Sequence, residues 1–376
     1  MKTVPITDLV APQVRGLQPY VPGKPISELE REYGVQDVVK LASNENPLGP
    51  GRRARAAMSG ALDEIGLYPD GNGFELKRRL AKHHGIDAEC LTLGNGSNDV
   101  LVLLAEAFLT PTTEAVYSEY CFAVYPIVVQ ASGAVARVAP ALPVSDSMPL
   151  GHDLEAISKL ITERTRLVFL ANPNNPTGTW IESRRLLSFL RALPGSALAI
   201  VDEAYFEYSR ESGCPDTSRW LAELPNLVVL RTFSKAYGLA GLRVGYAISQ
   251  PQIAETLNRL RQPFNVNSIA LAAATASLDD AEHVQRSVDL NREALALLRL
   301  GATKLGLKAL PSAGNFLLVD LGRPAGPVFE GLLRKGVIAR PVSNYGLPNH
   351  LRVTTGTLEQ TRRAIEALAS VLGKSV

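Results

Sequence analysis

The sequence predicts an α/β protein, with a large domain built on a mostly parallel central sheet flanked by helices and a smaller α+β domain at the C-terminal end. Three observations carry this expectation. Short apolar runs rich in β-branched residues alternate with helical patterns between residues 91 and 245, as in consecutive βαβ units. Loops of Gly, Pro and Asn follow several of these runs, at the carboxyl ends of the expected strands, where open α/β sheets bind ligands. Beyond Pro251 the pattern turns mainly helical and then returns to short strands within residues 315–354. At 376 residues and 46% hydrophobic, the chain can bury more than one core. The expected division is an N-terminal arm (1–40), a large ligand-binding domain (41–265) and a small domain (266–376).

Composition narrows the functional classes. A formal charge of +2, with 20% charged residues and no long basic run, gives no electrostatic case for nucleic acid or a membrane surface. No apolar stretch approaches a membrane span, and residues 1–8 lack the apolar core of a signal peptide. Cys90, Cys121 and Cys214 are odd in number and widely spaced, which argues for a reducing compartment and a cytoplasmic location. His83, His84, His152, His283 and His350 show no ligand spacing with cysteine or carboxylate, so no metal is expected.

Taken in order, the first forty residues hold Pro5, Pro12, Pro19, Pro22 and Pro25. That is too much proline for a helix or a central strand, and the segment reads as an arm carrying the aromatic Tyr20. An apolar strand near Leu41 closes in the polar turn Asn44-Glu45-Asn46-Pro47, and a helix over residues 51–65 leads to the turn Tyr68-Pro69-Asp70-Gly71. Residues 91–108 read as strand, glycine turn and helix, which aims the N–H groups around Gly96, Ser97 and Asn98 at a potential anion, although many such units bind none. Tyr120 follows the strand around Val116, either as a core aromatic or as a ring facing a ligand.

The strand over residues 167–171 runs into Asn172-Pro173-Asn174-Asn175-Pro176-Thr177-Gly178, where two prolines and a glycine stiffen the loop that carries Asn175. The strand over residues 197–201 delivers Asp202, with Tyr205 on the next turn; a carboxylate at a buried strand end needs something cationic to meet it. Helices are expected at 270–278 and 281–305, the second connecting into a separate domain, then strands at 315–320, 337–340 and 351–354, a helix at 328–335 and a final helix from Leu358. Arg340 and Arg352 fall in short apolar strands, where a charged fork requires an anionic partner, from the protein or from a ligand.

The chemistry centres on Lys235. It follows the β-branched run 227–233, so it sits at the carboxyl end of a buried strand, in a turn with Ser234, Gly238, Gly241, Arg243 and Gly245. An amine partly desolvated there has a lowered pKa and becomes a nucleophile towards a carbonyl. The ordinary alternative is a solvated lysine in a surface turn.

The turn from Ser234-Lys235 to Gly245, the Asn172 to Gly178 loop and Asp202-Glu203-Ala204-Tyr205 together resemble the class I/II aminotransferases, pyridoxal-phosphate-dependent enzymes of fold type I. The loop Asn44-Glu45-Asn46-Pro47-Leu48-Gly49 is similar to that of their histidinol-phosphate aminotransferase branch, and the resemblance runs from Tyr20 to Arg352. It implies that Lys235 holds pyridoxal 5'-phosphate and serves as the base, with Asp202 at the pyridinium nitrogen and Asn175 and Tyr205 at the phenolic oxygen. It implies a ring stacked by Tyr120 and a phosphate held by Gly96, Ser97, Asn98, Ser234 and Arg243, with Tyr68 reaching into the other subunit's site of a homodimer. Tyr20, Asn46, Arg340 and Arg352 would meet the substrate, and Thr355 stands where the family often has an aliphatic residue. The implied reaction is transamination between histidinol phosphate and 2-oxoglutarate, giving imidazole acetol phosphate and glutamate, in either direction, within histidine biosynthesis.

Two alternatives stay within this chemistry: an aromatic amino-acid aminotransferase of the same branch and, more distantly, a decarboxylase of a phosphorylated amino acid. A non-enzymatic cofactor-binding regulator would need a DNA-binding domain, which an arm bearing Glu28, Glu30 and Glu32 does not supply.

Overall fold

The computed structural model describes residues 4–375. In chain order its strands are β1 (Val39–Lys40), β2 (Leu91–Gly94), β3 (Glu114–Ser118), β4 (Val135–Ala139), β5 (Thr165–Ala171), β6 (Leu198–Asp202), β7 (Leu227–Thr232), β8 (Gly245–Ser249), β9 (Lys308–Ala309), β10 (Phe316–Asp320), β11 (Val337–Ile338), β12 (Arg340–Val342) and β13 (Leu347–Thr354). The main sheet has the order β2-β8-β7-β6-β5-β3-β4. Its neighbours pair in parallel except at β8, which runs antiparallel to both β2 and β7.

The central strands are apolar throughout because both faces are covered. Val168, Leu170, Ala199, Val201, Leu227 and Val229 point into one core. Their alternates Leu167, Phe169, Ile200, Val228 and Leu230 point into the other, as the two-residue period of a strand requires. Register then brings the functional loops together. Gly94 and Thr232 both pair with Gly245, Ala171 pairs with Asp202, and Asp202 with Leu230. The chain therefore leaves β2, β5, β6 and β7 on a single edge of the sheet.

A second, antiparallel sheet, β12-β13-β10-β9, carries the smaller core, in which Leu317, Val319, Leu351 and Val353 pack against Leu295, Leu298 and Leu368. Helix Leu358–Leu372 closes this unit, opened by a capping box between Thr357 and Gln360. Helix Ala281–Lys304 starts against the large core at Val284 and ends in the small one at Leu298 and Ala302. Helix Ser268–Ser277 places Ala270, Ala273 and Ala274 in the large core, while Val39 and Leu41 join the small one. Helix Ala281–Lys304 thus spans both cores.

Three local expectations change. The proline-rich segment contains helices Ile6–Leu9, Pro12–Arg15 and Ile26–Tyr33, with Pro5 and Pro25 just before a helix and Pro12 at its first residue. A helix start needs no N–H there, so proline opens these helices instead of preventing them. The expected helix over 51–65 is Arg52–Ala61 followed by the 3-10 turn Leu62–Glu64. The expected strand at 337–340 divides, since Val337 and Ile338 pair with β1 whereas Arg340 pairs with β13.

Behind the loop edge lies an ion cluster. Arg231 shares a face with Val229 and donates to Glu203 at 2.7 Å and to Asp216 at 2.9 Å, and Glu203 also accepts the N–H and O–H of Thr217. The ring of Phe206 lies 3.3 Å from the guanidinium. The Arg231 and Glu203 side chains are 3% and 1% exposed, so each charge depends on the other. Arg231→Met, which leaves Glu203 without its cation, should lower the unfolding free energy in urea by about 3–5 kcal/mol. A loss below about 1 kcal/mol, the size of an ordinary substitution, would contradict this dependence.

Candidate active site

A cavity of about 480 Å³ opens on the loop edge, with Lys235 and Asp202 both on its wall. Lys235 is the third residue after β7, and its Nζ donates to the Ser43 carbonyl at 3.3 Å. Burial, with the Arg352 guanidinium adding to it, brings this amine down to about 8. Asp202 ends β6 on the same face as Ile200, which points it at helix Val124–Ser132. There the Tyr125 hydroxyl donates to its carboxylate at 3.0 Å and the Ala204 N–H at 3.2 Å. Burial nevertheless raises Asp202 to about 6, so the site favours a cation beside it.

One end of the cavity is built for an anion. Helix Ser97–Phe108 begins there, and its first N–H groups have no partner within the helix. Ser234 and Arg243 line the same wall, and Arg243 donates to Ser234 Oγ at 3.2 Å from a left-handed backbone (φ 57°). An arginine held in that conformation is strained by about 1–3 kcal/mol, as at many ligand clamps. Gly96 sits beside it in a left-handed backbone (φ 81°), a conformation that glycine holds without strain, and a Cβ there would push against the Arg243 guanidinium. Gly238 (φ 70°) lets the Lys235 turn touch the 44–49 loop, where a Cβ would lie 2.0 Å from the Gly49 carbonyl oxygen.

Asn175 and Tyr205 also line the cavity. The 172–178 loop is tied down by its other asparagines. Asn172 pairs with both backbone groups of Ile181, and Asn174 donates to the Tyr120 carbonyl at 2.6 Å and to Thr177 Oγ1 at 2.9 Å. Asn175 keeps its amide for the cavity, with its oxygen occupied by Arg352 and its NH2 unclaimed. Arg352, 5% exposed, also donates to the Ala42 carbonyl at 2.7 Å and leaves Nε without a partner. A buried guanidinium with a free donor is suited to an anion. Arg340 donates to the Val21 carbonyl and sits 5.7 Å from the ring of Tyr20, which is itself on the cavity wall.

Several expected residues lie elsewhere. Tyr120 packs with Leu150, Leu318, Val342 and Leu347, outside the cavity, and Phe122 lines it instead. The irregular loop after β3 brings in the ring two residues further on. Asn46 spends its NH2 on the Ala236 carbonyl and Ser287 Oγ, both at 2.8 Å, and so fixes the Lys235 turn rather than facing a ligand. Tyr68, expected in the other subunit's site, is 83% exposed and stacks on Phe264 at 4.7 Å, outside this chain's own cavity as that expectation requires. Thr355 donates to Asn291 Oδ1 at 2.8 Å, so its hydroxyl is accommodated where the family often has an aliphatic residue. Sequence reading missed Tyr125, Phe122, Ser43 and Asn44. Tyr125 carries the pattern of a core aromatic, and the others depend on loop geometry that no local pattern encodes.

A group with an aldehyde, a ring cation and a phosphate fits these walls. The amine at Lys235, the carboxylate at Asp202 and the anion end at Ser97, Ser234 and Arg243 line one cavity and would meet each part in turn. These walls and the two-core fold define an aminotransferase: the sequence profile of aminotransferase class I and II matches residues 36–368. Histidinol-phosphate aminotransferase 2 of Pseudomonas fluorescens is 55% identical over 369 residues, 98% of each chain. The enzyme of the same name from Methylococcus capsulatus is 55% identical over 367 residues, 98% of this chain and 99% of its own. The crystal structure of histidinol-phosphate aminotransferase from Sinorhizobium meliloti in complex with pyridoxal-5'-phosphate superposes with a TM-score of 0.87, at 28% identity and 97% coverage of each chain. The chain belongs to the class I and II aminotransferases, within their histidinol-phosphate aminotransferase family.

The lowered amine gives a direct check on the ligand-free chain. Reductive labelling with a small aldehyde should modify Lys235 ahead of every lysine except Lys77, whose amine burial also lowers to about 8, at a rate that rises with pH through a midpoint of about 8, because only the neutral amine attacks; Lys235→Ala separates the two by removing its own labelled site. A midpoint in the ordinary lysine range above about 10 would contradict the burial of this amine.

Proposed function

We propose that the chain is a pyridoxal 5'-phosphate-dependent transaminase acting between histidinol phosphate and 2-oxoglutarate in histidine biosynthesis. The observation that carries this reading is the placement of the Lys235 amine and the Asp202 carboxylate on one cavity wall beside an anion cradle. Bound pyridoxal 5'-phosphate supplies an electron sink for the charge left when a Cα proton departs.

The protein's residues do the rest. Lys235 would hold the cofactor's aldehyde end in the resting enzyme and, freed by the amino donor, would be the base that takes the Cα proton and delivers it to the cofactor's aldehyde-derived carbon. Asp202, held by Tyr125, keeps a proton on the ring nitrogen. Asn175 and Tyr205, both on the cavity wall, would donate to the phenolic oxygen, and Phe122 on the same wall would lie against the ring. The helix start at Ser97, with Ser234 and Arg243, neutralises the phosphate. Arg352 and Arg340, with Tyr20, receive the anionic end of the substrate as it enters between the two cores.

The working form is a homodimer in the cytoplasm. Leu62, Ile65, Leu67, Tyr68 and Phe264 form an exposed apolar patch that suits a second copy, with Tyr68 completing the neighbour's phosphate site. The free thiols Cys90, Cys121 and Cys214 suit a reducing compartment. Among the described residues no helix is long and apolar enough to cross a membrane.

Steady-state kinetics should give a higher kcat/KM for histidinol phosphate than for phenylalanine; the reverse order would assign the chain to aromatic amino acids. Arg352→Lys should raise KM for histidinol phosphate, since a lysine cannot reproduce the guanidinium fork. Asp202→Asn should cost at least about 100-fold in kcat, roughly 2.7 kcal/mol, while leaving the fold intact. Near-native turnover in that variant would remove Asp202 from the chemistry.

Subunit exchange tests the shared site. Mixing Lys235→Ala chains with Tyr68→Phe chains should restore part of the activity, because some mixed sites carry both native groups. Heterodimers that form without any recovery would confine Tyr68 to its own chain.

A further inference from the structure

Asn44 is 1% exposed and holds a left-handed backbone (φ 56°) between the two cores. All of its polar groups are engaged. Its N–H donates to Thr354 Oγ1 at 3.0 Å, its carbonyl accepts from Asn315 Nδ2 at 3.0 Å, its Oδ1 accepts from Thr354 Oγ1 at 3.0 Å, and its Nδ2 donates to the Tyr205 hydroxyl at 2.8 Å. Thr354 lies on β13 of the small sheet and Tyr205 just after β6 of the large one.

The orientation of the Asn44 amide sets the direction of each bond. Thr354 Oγ1 accepts from the Asn44 N–H and gives its own proton to Asn44 Oδ1. That leaves the Asn44 NH2 facing Tyr205, whose oxygen must accept. The Tyr205 proton is then free of any acceptor among the described residues, on a side chain that lines the cavity beside Asp202 and Lys235. Without Asn44 the hydroxyl could rotate and either donate or accept. With it, only donation into the cavity remains.

We propose that Asn44, locked by Thr354, is a positioning residue that makes Tyr205 an obligatory hydrogen-bond donor to the phenolic oxygen of the bound cofactor. The inference rests on the cofactor chemistry proposed above and adds residues that neither the sequence motifs nor the family resemblance assigned to it. It also ties that bond to the seating of the small core, because the lock on Asn44 comes from β13. A donor at the phenolic oxygen favours its deprotonated form, so the bound cofactor loses its proton at lower pH when the lock is intact. The charged and titratable groups facing Tyr205 are Arg352, Asp202 and Tyr345, with Lys235 Nζ 5.7 Å from its ring, and the substitutions below leave all of them in place.

The experiment is a pH titration of the visible absorbance of the full chain loaded with pyridoxal 5'-phosphate. Tyr205→Phe, which lacks the donor, should raise the midpoint by roughly one pH unit, the scale of one hydrogen bond. Thr354→Val, which keeps the strand's β-branched shape but releases Asn44, should move the midpoint in the same direction, and Thr354→Ser should restore it. Asn44→Asp keeps a side chain that tolerates the left-handed backbone but accepts the Tyr205 proton instead, and should match Tyr205→Phe. The double variant Thr354→Val with Tyr205→Phe should shift no further than Tyr205→Phe alone, because both act through one bond.

A wild-type midpoint in Thr354→Val, or a shift that adds in full to that of Tyr205→Phe, would overturn the assignment of Asn44. A wild-type chain that takes up no cofactor would overturn the proposed function itself. The Val and Ser pair at Thr354 carries the test even where Asn44 variants fail to fold.

Discussion

The structure depends on keeping two ionisable groups, Asp202 and Lys235, buried at one sheet edge with no opposite charge in direct contact. Asp202 has only a phenol and an N–H as close partners, and the Lys235 amine only a carbonyl. Burial pushes both towards neutrality, the carboxyl up to about 6 and the amine down to about 8. Such a wall costs stability in the empty protein. Between about pH 4 and 6 the Asp202 term falls as pH rises, since the unfolded chain ionises first; between about 8 and 10 the Lys235 term recovers, since the unfolded chain then sheds its extra proton. The cost is offset when a ligand supplies a ring cation for one group and an aldehyde for the other.

The remainder of the fold serves that wall. Parallel pairing of β5, β6 and β7 sets Ala171, Asp202 and Thr232 near one another, so three successive loops converge without long connections. On the face opposite Tyr125, the Arg231, Glu203 and Asp216 cluster holds β6 to β7 close to where Asp202 and Lys235 emerge. The small core contributes orientation more than chemistry. From alternate positions of β13, Arg352 reaches Asn175 and Thr354 reaches Asn44, which in turn reaches Tyr205.

What the sequence made legible follows from these physics. Asp202, Ser234 and Lys235 stand at ends of buried strands, where β-branched runs mark the strand and the next polar residues must face the edge. Asn175 is legible through the resemblance of its loop to the family's, while the prolines and glycine account only for the loop's stiffness. Tyr120 and Asn46 take their expected places from a motif, yet in irregular loops a shift of two residues changes what a side chain meets: Phe122 lines the cavity, and Asn44 rather than Asn46 reaches the cavity-lining Tyr205. Tyr125 was hidden because an apolar helix carries the same pattern whether or not its hydroxyl meets a carboxylate. The arm's helices were missed because proline was weighed as a breaker, without regard to its place at a helix start. Which core a helix rich in small residues joins is hard to read from sequence, since alanines at 270, 273 and 274 would pack on either core by composition alone.

The central claim is that Lys235 removes the Cα proton of a bound amino donor, and hydrogen exchange reads that step with no second substrate present. Histidinol phosphate incubated in D2O with the cofactor-loaded chain should lose its Cα proton signal by NMR, and should keep it with Lys235→Ala. Equal exchange in both proteins, or none in the wild type, would contradict the account.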